Sequence, residues 1–423
     1  MTSLALASWK APEIPSKWDV IPIHNSDRAA FRRCRRYWDF TSPARQNLMI
    51  RADLLGINPN LWFGTGIHYA LENFYNPGLR RDPVEAFKTW FDYQWRGGIV
   101  TEEWLDLVYD LKPVPENSDF VKTHTPGVQL WRVRGLEDII PDPDHDMYDE
   151  LRAMGIAMLE SYKKYANQVD GFEVLVAEHD FSVPIWDYEN DCILKRIDAR
   201  EESPNYGKEL EVHARGRMDL IWRKPTGKMG IMDHKTAEKI GETYFEKLEM
   251  DEQCTSYLWA AEVEAQYYNL PYKGEPMEEV IYNVLRKAYP RPPTVVRGGL
   301  FSVDREKESC TYEMLMDWIK ENQIDPETLP EKHKGYIEWL RNVDTEQFYV
   351  RKLVRRNRYQ LHNAGKRLYL EALDMLGDPR IYPNLSNSYK CLSCAFRPPC
   401  LAMEDGSDAQ FLINTNYVRA RDR

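Results

Sequence analysis

Nowhere in the 423 residues does an apolar run approach the ~20 needed to cross a bilayer as a helix, which removes a helical membrane protein from consideration. The Leu4-Ala5-Leu6-Ala7 stretch is too short for a secretory leader, so the expectation is a soluble intracellular chain. No G-x4-G-K-[ST] loop is present, which removes an ATP motor, and no internal repeat or low-complexity tract stands out. Positive charge is also short: 56 Lys and Arg stand against 67 Asp and Glu, a formal net charge of −11. That balance argues against a protein that coats nucleic acid nonspecifically, because such affinity comes from many cationic contacts with phosphate.

A local basic channel stays open. Arg28, Arg32 and Arg36 follow one another at i, i+4, i+8 and would line one face of a helix, with Arg33 and Arg35 widening the stripe. Arg351, Lys352, Arg355, Arg356 and Arg358 form a second cluster. Each alone reads as a solvated face; together, beside a metal site, they read as a phosphate track. The composition, 43% hydrophobic and 29% charged, is that of a globular protein of one to three domains.

The chemistry concentrates in two segments, Gly216-Arg-Met-Asp219-Leu-Ile-Trp222 and Gly230-Ile-Met-Asp233-His-Lys235-Thr236. Both alternate with period two, and Lys224-Pro-Thr-Gly-Lys228 between them is polar with two chain breakers, as a five-residue hairpin loop should be. Centring the loop on Thr226 opposes residues whose numbers sum to 452, so Asp219 faces Asp233 and Ile221 faces Ile231. Opposed Cβ atoms lie about 4.5–5.5 Å apart, where two carboxylates repel unless a cation sits between them. Lys235 follows Asp233 by two and shares its face, and oxygen ligands at a hairpin end suit Mg²⁺ or Mn²⁺ over zinc. The arrangement points to a metal-dependent phosphodiesterase.

Three of the seven cysteines form Cys391-x2-Cys394-x5-Cys400. In a reducing compartment such a run reads as metal or cluster ligation, with zinc and iron-sulfur level on spacing alone. Three thiolates need a fourth ligand. Cys34, in the Arg-rich helix that Asn25-Ser26-Asp27 would cap, is the natural candidate, since Cys192, Cys254 and Cys310 fall in expected core elements. Such a site would clip the two ends of the chain together.

Along the rest of the chain, Leu61–Tyr75 reads as a helix with His68 and Glu72 at i, i+4, and residues 76–170 read as a mainly helical insertion around an irregular stretch, 112–146. Val174–Ile185 reads as a strand carrying Glu178, a ligand or an ordinary strand-edge carboxylate. Tyr244–Tyr268 reads as a helix with Gln253 and Tyr257 at i, i+4. Val280–Leu285 and Thr294–Val303 read as strands, and 305–321 and 345–376 as helices. The order implies an α/β sandwich with a mixed sheet. The units are 1–75, the N-terminal helices; 76–170, the insertion; 171–345, the core; and 346–423, a C-terminal helix and cysteine segment packing back on the N-terminus.

Taken together these elements resemble the RecB-like, iron-sulfur branch of the PD-(D/E)XK nuclease superfamily, which includes CRISPR-associated adaptation exonucleases, AddB-type nuclease domains, eukaryotic exonuclease V and phage exonucleases. Gly64-Thr-Gly-Ile-His68 is similar to the family's G-x3-H element, Asp219 to its motif aspartate, Asp233-His-Lys235 to its D-x-K, and Gln253 with Tyr257 to its Q-x3-Y. Cys34, Cys391, Cys394 and Cys400 match its cluster set. The resemblance implies an α/β, restriction-endonuclease-like PD-(D/E)XK core with a mixed sheet flanked by helices and a helical insertion. It implies a [4Fe-4S] cluster on the four cysteines and His68 as a metal ligand. It assigns nothing to Glu72 or Glu178.

The implied activity is a DNA exonuclease acting on single strands or ends in the cytoplasm of a bacterial or phage-infected cell. Asp219, Asp233, the His234 backbone carbonyl and His68 would hold Mg²⁺ or Mn²⁺, with Lys235 orienting the attacking water or stabilising charge. Gln253 and Tyr257 would contact the nucleic acid or brace the site, with Tyr257 able to stack on a base, and Arg28, Arg32 and Arg36 would contact DNA. The rival readings are a nuclease-fold DNA-binding subunit working with a helicase or strand-annealing partner, and a zinc-stabilised RNA-processing protein.

Overall fold

The computed structural model describes residues 12–51, 59–95, 99–100, 111–113, 131–133, 145–200, 202–240, 242–305, 307–343, 347–377, 379–385 and 388–419. Most of the expected irregular stretch 112–146 therefore lies outside the described residues; within 76–170 the described part holds two long helices and three short strands.

A seven-stranded mixed sheet organises the molecule: β1 (Ile21–His24), β2 (Glu173–Pro184), β3 (Lys195–Ile197), β4 (Glu209–Arg223), β5 (Met229–Ala237), β6 (Met277–Arg286) and β7 (Tyr349–Arg355). Its path runs β1-β4-β5-β6-β7, with β2 and β3 also pairing β4. The β1–β4 and β5–β6 pairs are parallel and the other pairs antiparallel.

The hairpin forms in the expected register. Leu220 pairs with Met232, Ile221 with Ile231, Trp222 with Gly230 and Arg223 with Met229, each pair summing to 452. The loop closes through Lys224 N–H to the Lys228 carbonyl at 2.8 Å, with Gly227 at φ +85°, a left-handed conformation that favours glycine. The irregularity falls on the other edge of β4, where its register with β2 shifts between Ile221 and Trp222.

Helices cover both faces of the sheet. Against one face pack α1 (Asn25–Arg33), α2 (Arg35–Thr41), α7 (Glu252–Tyr267) and α10 (Arg358–Leu376), around Ile221, Ile231, Val280, Val284 and Leu258. Against the other pack α3 (Pro59–Tyr75), α4 (Pro83–Trp95) and α5 (His145–Val169), around Leu220, Trp222, Met232, Ile281 and Phe87. A separate cluster centred on Phe301 and Tyr336 joins α8 (Tyr312–Glu321) and α9 (Glu331–Val343).

Several expectations need correction. The segment 345–376 is not one helix: Tyr349–Arg355 is β7, a strand in register with β6, and α10 begins at Arg358 behind an Asn357–Gln360 capping box. Pairing to an existing sheet edge overrides the helical character of those residues. Thr294–Val303 makes a single Val295–Phe301 bridge rather than a strand, and the helix expected from residue 305 begins at Tyr312, where Thr311 caps it. The expected 244–268 helix is two, α6 (Glu242–Glu249) and α7, because the Asp251 side chain caps the Cys254 N–H and restarts the helix. Cys254 and Cys310 are buried as expected, but Cys192 is exposed.

Candidate metal centre

The end of the β4–β5 ladder is where the candidate residues converge. Asp219 is the next residue beyond the Leu220–Met232 pair, and its Oδ2 accepts the His234 backbone N–H at 2.7 Å. Asp233, on the same face as Ile231, is buried, and Lys235 Nζ lies 2.7 Å from its Oδ2.

His68 arrives from α3, and the two glycines before it explain how. A Cβ on Gly64 would sit 3.3 Å from the Thr236 hydroxyl at the end of β5, and one on Gly66 would sit 2.7 Å from the Trp90 ring of α4. Without those side chains the helix lies close on the sheet and on α4, and His68 Nδ1 comes 3.6 Å from Asp219 Oδ2.

The third arm is Glu178 on β2, in the register position opposite Asp219, between the Met218–His179 and Leu220–Ala177 pairs. Its φ of +48° is left-handed, a strained conformation for a glutamate. His68, Glu178 and Asp219 each offer a ligand atom, all within 4.8 Å of one another. Glu178 is the residue that sequence reasoning left undecided. The signal that finds it is β2–β4 pairing, which a single chain does not display without the register.

The electrostatics are those of surplus negative charge. Burial raises the Glu178 carboxyl, and Asp219 and Glu72 raise it further against the opposing pull of Arg217, whose guanidinium lies 3.7 Å away. Burial pushes Glu72 up to about 7, with Asp180 adding to the shift and Arg217 opposing it. Burial likewise raises Asp233, Lys235 pulling it down and Asp219 pushing it up. Burial works against the Lys235 charge, yet the Asp233 carboxylate keeps that ammonium above the ordinary lysine range. A divalent cation among His68, Glu178 and Asp219 would offset this repulsion, and two carboxylates with one imidazole are a fitting donor set for one. The His234 side chain is buried on the opposite face, and burial lowers its pKa well below the usual imidazole range.

Gln253 and Tyr257 meet as the i, i+4 spacing predicts, Gln253 Nε2 donating to the Tyr257 hydroxyl at 2.9 Å. Gln253 is exposed. Tyr257 is 8% exposed and packs edge-on against Phe181 with centroids 5.5 Å apart.

The arginine stripe is engaged in ion pairs within the chain. Arg28 is 1% exposed and bonded to Asn25, Ser256, Glu252 and Glu371. Arg32 pairs with the same two glutamates, and Arg36 pairs with Glu404 at 2.7 Å. These side chains tie α1 and α2 to α7, α10 and the C-terminal segment, Arg28 from a buried position and Arg32 with its side chain 44% exposed. The second cluster is likewise paired: Arg351 with Asp170, Lys352 with Glu249, Arg355 with Glu279 and Arg358 with Glu262. Arg356 is buried on the Thr255 hydroxyl and the Leu248 and Glu249 carbonyls. Arg355 and Arg358 keep side chains 67% and 60% exposed.

Cys34, Cys391, Cys394 and Cys400 line one small cavity of about 80 Å³, with Phe40, Phe396 and Leu401 around it. Asn384 N–H approaches Cys34 Sγ at 3.3 Å, and Arg36 Nη1 lies 3.5 Å from Cys400 Sγ. Burial raises the Cys394 thiol, and the neighbouring Cys34 and Cys391 add to the rise.

Among the described residues no helix is long and apolar enough to cross a membrane. Comparison with individual curated proteins gives no match. The family profile of the PD-(D/E)XK nuclease superfamily matches residues 26–401, a span that holds His68, Glu178, Asp219, Asp233 and Lys235. With its mixed α/β sheet and the carboxylate pair and lysine at a hairpin end, the chain belongs to the PD-(D/E)XK nuclease superfamily.

Proposed function

We propose that the protein is a Mg²⁺- or Mn²⁺-dependent deoxyribonuclease that hydrolyses phosphodiester bonds at single strands or DNA ends. The observation that carries this reading is the convergence of His68, Glu178 and Asp219 within 4.8 Å beside the Asp233–Lys235 pair. His68, Glu178 and Asp219 would hold the cation, joined by Asp233 and the His234 carbonyl. Glu178 is an addition to the set read from sequence. When bound, the cation lowers the pKa of water and offsets charge on the phosphoryl oxygens. Lys235 supplies a fixed positive charge for the attacking water or the charged transition state. The His234 N–H holds Asp219 so that its free lone pairs face the site. Exposed Gln253, anchored on Tyr257, contacts the nucleic acid.

The four-cysteine cavity suits a [4Fe-4S] cluster that ties the Cys34 turn to the C-terminal segment. Its support is the shared cavity together with the Asn384 and Arg36 donors facing the sulfurs. End-labelled single- and double-stranded DNA, incubated with Mg²⁺, Mn²⁺ or EDTA, tests the activity and reports polarity. Cation-dependent release of terminal products is expected, and metal-independent or absent cleavage would overturn the proposal. Iron and acid-labile sulfide in anaerobically purified protein test the cluster; a colourless zinc protein would contradict it.

A further inference from the structure

Behind the D-x-K strand, on the face away from Asp233 and Lys235, a chain of polar side chains crosses three adjacent strands. His234 on β5 is the register partner of Asn283 on β6, and Asn283 is the register partner of Arg351 on β7. Asn283 Nδ2 lies 2.8 Å from His234 Nδ1, and Arg351 Nε donates to Asn283 Oδ1 at 2.8 Å. His234 is 2% exposed and Asn283 and Tyr162 are 0%, so water cannot replace these bonds.

Donor counting fixes the order of the chain. Arginine only donates, so the Asn283 oxygen faces Arg351 and the amide nitrogen faces His234 and the Tyr162 hydroxyl, the latter at 2.8 Å. His234 Nδ1 must then accept, which leaves the imidazole neutral with its proton on Nε2. The remaining Arg351 donors reach the Tyr75 and Tyr162 hydroxyls at 2.8 and 2.9 Å and Asp170 at 2.7 Å, and Tyr75 donates to Asp170 at 2.8 Å. The Tyr75 ring also stacks on His234, with centroids 5.5 Å apart. The imidazole is thus held in plane by Tyr75 and at its edge by Asn283.

His234 is the residue between Asp233 and Lys235, and its backbone N–H holds Asp219. Fixing its side chain fixes the backbone on which both halves of the site depend. We propose that Asn283 and Arg351 are positioning residues that act through the His234 side chain to hold Asp219 in its cation-binding position beside Asp233. This rests on the cation-dependent nuclease reading. Outer partners of metal sites work in this way, and their loss costs about 10–100-fold in metal affinity or activity.

The test compares Asn283→Leu and Arg351→Lys with Tyr349→Phe. Tyr349 is buried on the same sheet face, packs edge-on against Tyr162 with centroids 5.5 Å apart, and its hydroxyl donates to the Met158 carbonyl at 2.8 Å. Mn²⁺ affinity by calorimetry, kcat and KM on single-stranded DNA, and Tm without metal are measured on each full-length protein. Asn283→Leu and Arg351→Lys are expected to weaken Mn²⁺ binding about 10–100-fold and lower kcat with KM unchanged, while Tyr349→Phe loses Tm alone. Arg351→Lys keeps a cation for Asp170 and carries the test if Asn283→Leu does not fold. Wild-type Mn²⁺ affinity and kcat in the folded variants, or an equal loss in Tyr349→Phe, would overturn the proposal. Wild-type protein that neither binds Mn²⁺ nor cleaves DNA would instead remove the nuclease reading, and this inference with it.

Discussion

The backbone N–H of His234 donates to the Asp219 carboxylate at 2.7 Å, so one strand of the hairpin holds the acid of the other. Asp219 therefore has two tasks, closing the end of the ladder and offering oxygen to a cation. Asp219→Ala removes both. Its DNA cleavage should fall by more than the ~10–100-fold that loss of an outer partner costs, measured as initial rate in saturating Mn²⁺.

Glu178 is held in a left-handed backbone with its charge opposed by burial and by Asp219. Glu178→Gln should raise Tm in EDTA at neutral pH, because a buried carboxyl that is held protonated in the fold and ionises on unfolding is gone, and should abolish the Tm increase on adding Mn²⁺. A lowered metal-free Tm combined with a preserved Mn²⁺ response would show that Glu178 is not part of the centre.

The same surplus charge sets a pH dependence. Glu72 has its pKa raised from 4.5 to about 7, so the folded protein favours the protonated form. That contribution is fully present below the unfolded value and is lost as pH rises through the folded one. Metal-free Tm should therefore decline between about pH 4.5 and 7, and Glu72→Gln should lessen the decline, the raised carboxyls of Glu178 and Asp233 supplying the rest. Thermal melts across that window with and without EDTA read it directly.

Lys235 touches Asp233 and is not a cation ligand. Lys235→Ala should lower kcat by about 10²–10⁴-fold, the range for a group acting on the reacting centre, while retaining the Mn²⁺-induced Tm shift. An unchanged kcat in a folded variant would remove Lys235 from the mechanism.

Arg28 is a brace between elements, so Arg28→Ala should cost about 1–3 kcal/mol of stability by removing the donor to Asn25 and Ser256 and leaving Glu252 and Glu371 with Arg32, read as a shift in denaturant midpoint. KM for DNA should stay at the wild-type value. A raised KM with unchanged stability would restore the DNA-binding role that the sequence suggests.

What was legible in the chain followed from local rules. The hairpin register came from loop length and alternation, and the β4–β5 pairing keeps it from Leu220 to Arg223. The i, i+4 spacing of Gln253 and Tyr257 likewise became a hydrogen bond. What was not legible depends on partners far away in sequence. Arg28 finds Glu371 across 343 positions, so its helical spacing reads as a free basic face until α10 is in place. Glu178 becomes a candidate ligand only when β2 pairs β4, and Tyr349–Arg355 becomes a strand only when β6 offers an edge.

The most direct test of the account is the anomalous scattering of Mn²⁺ in crystals of the protein. A peak roughly 2.1 Å from donor atoms of His68, Glu178 and Asp219, and lost in Glu178→Gln, is the predicted result. Mn²⁺ held elsewhere while those three side chains remain unliganded would contradict it.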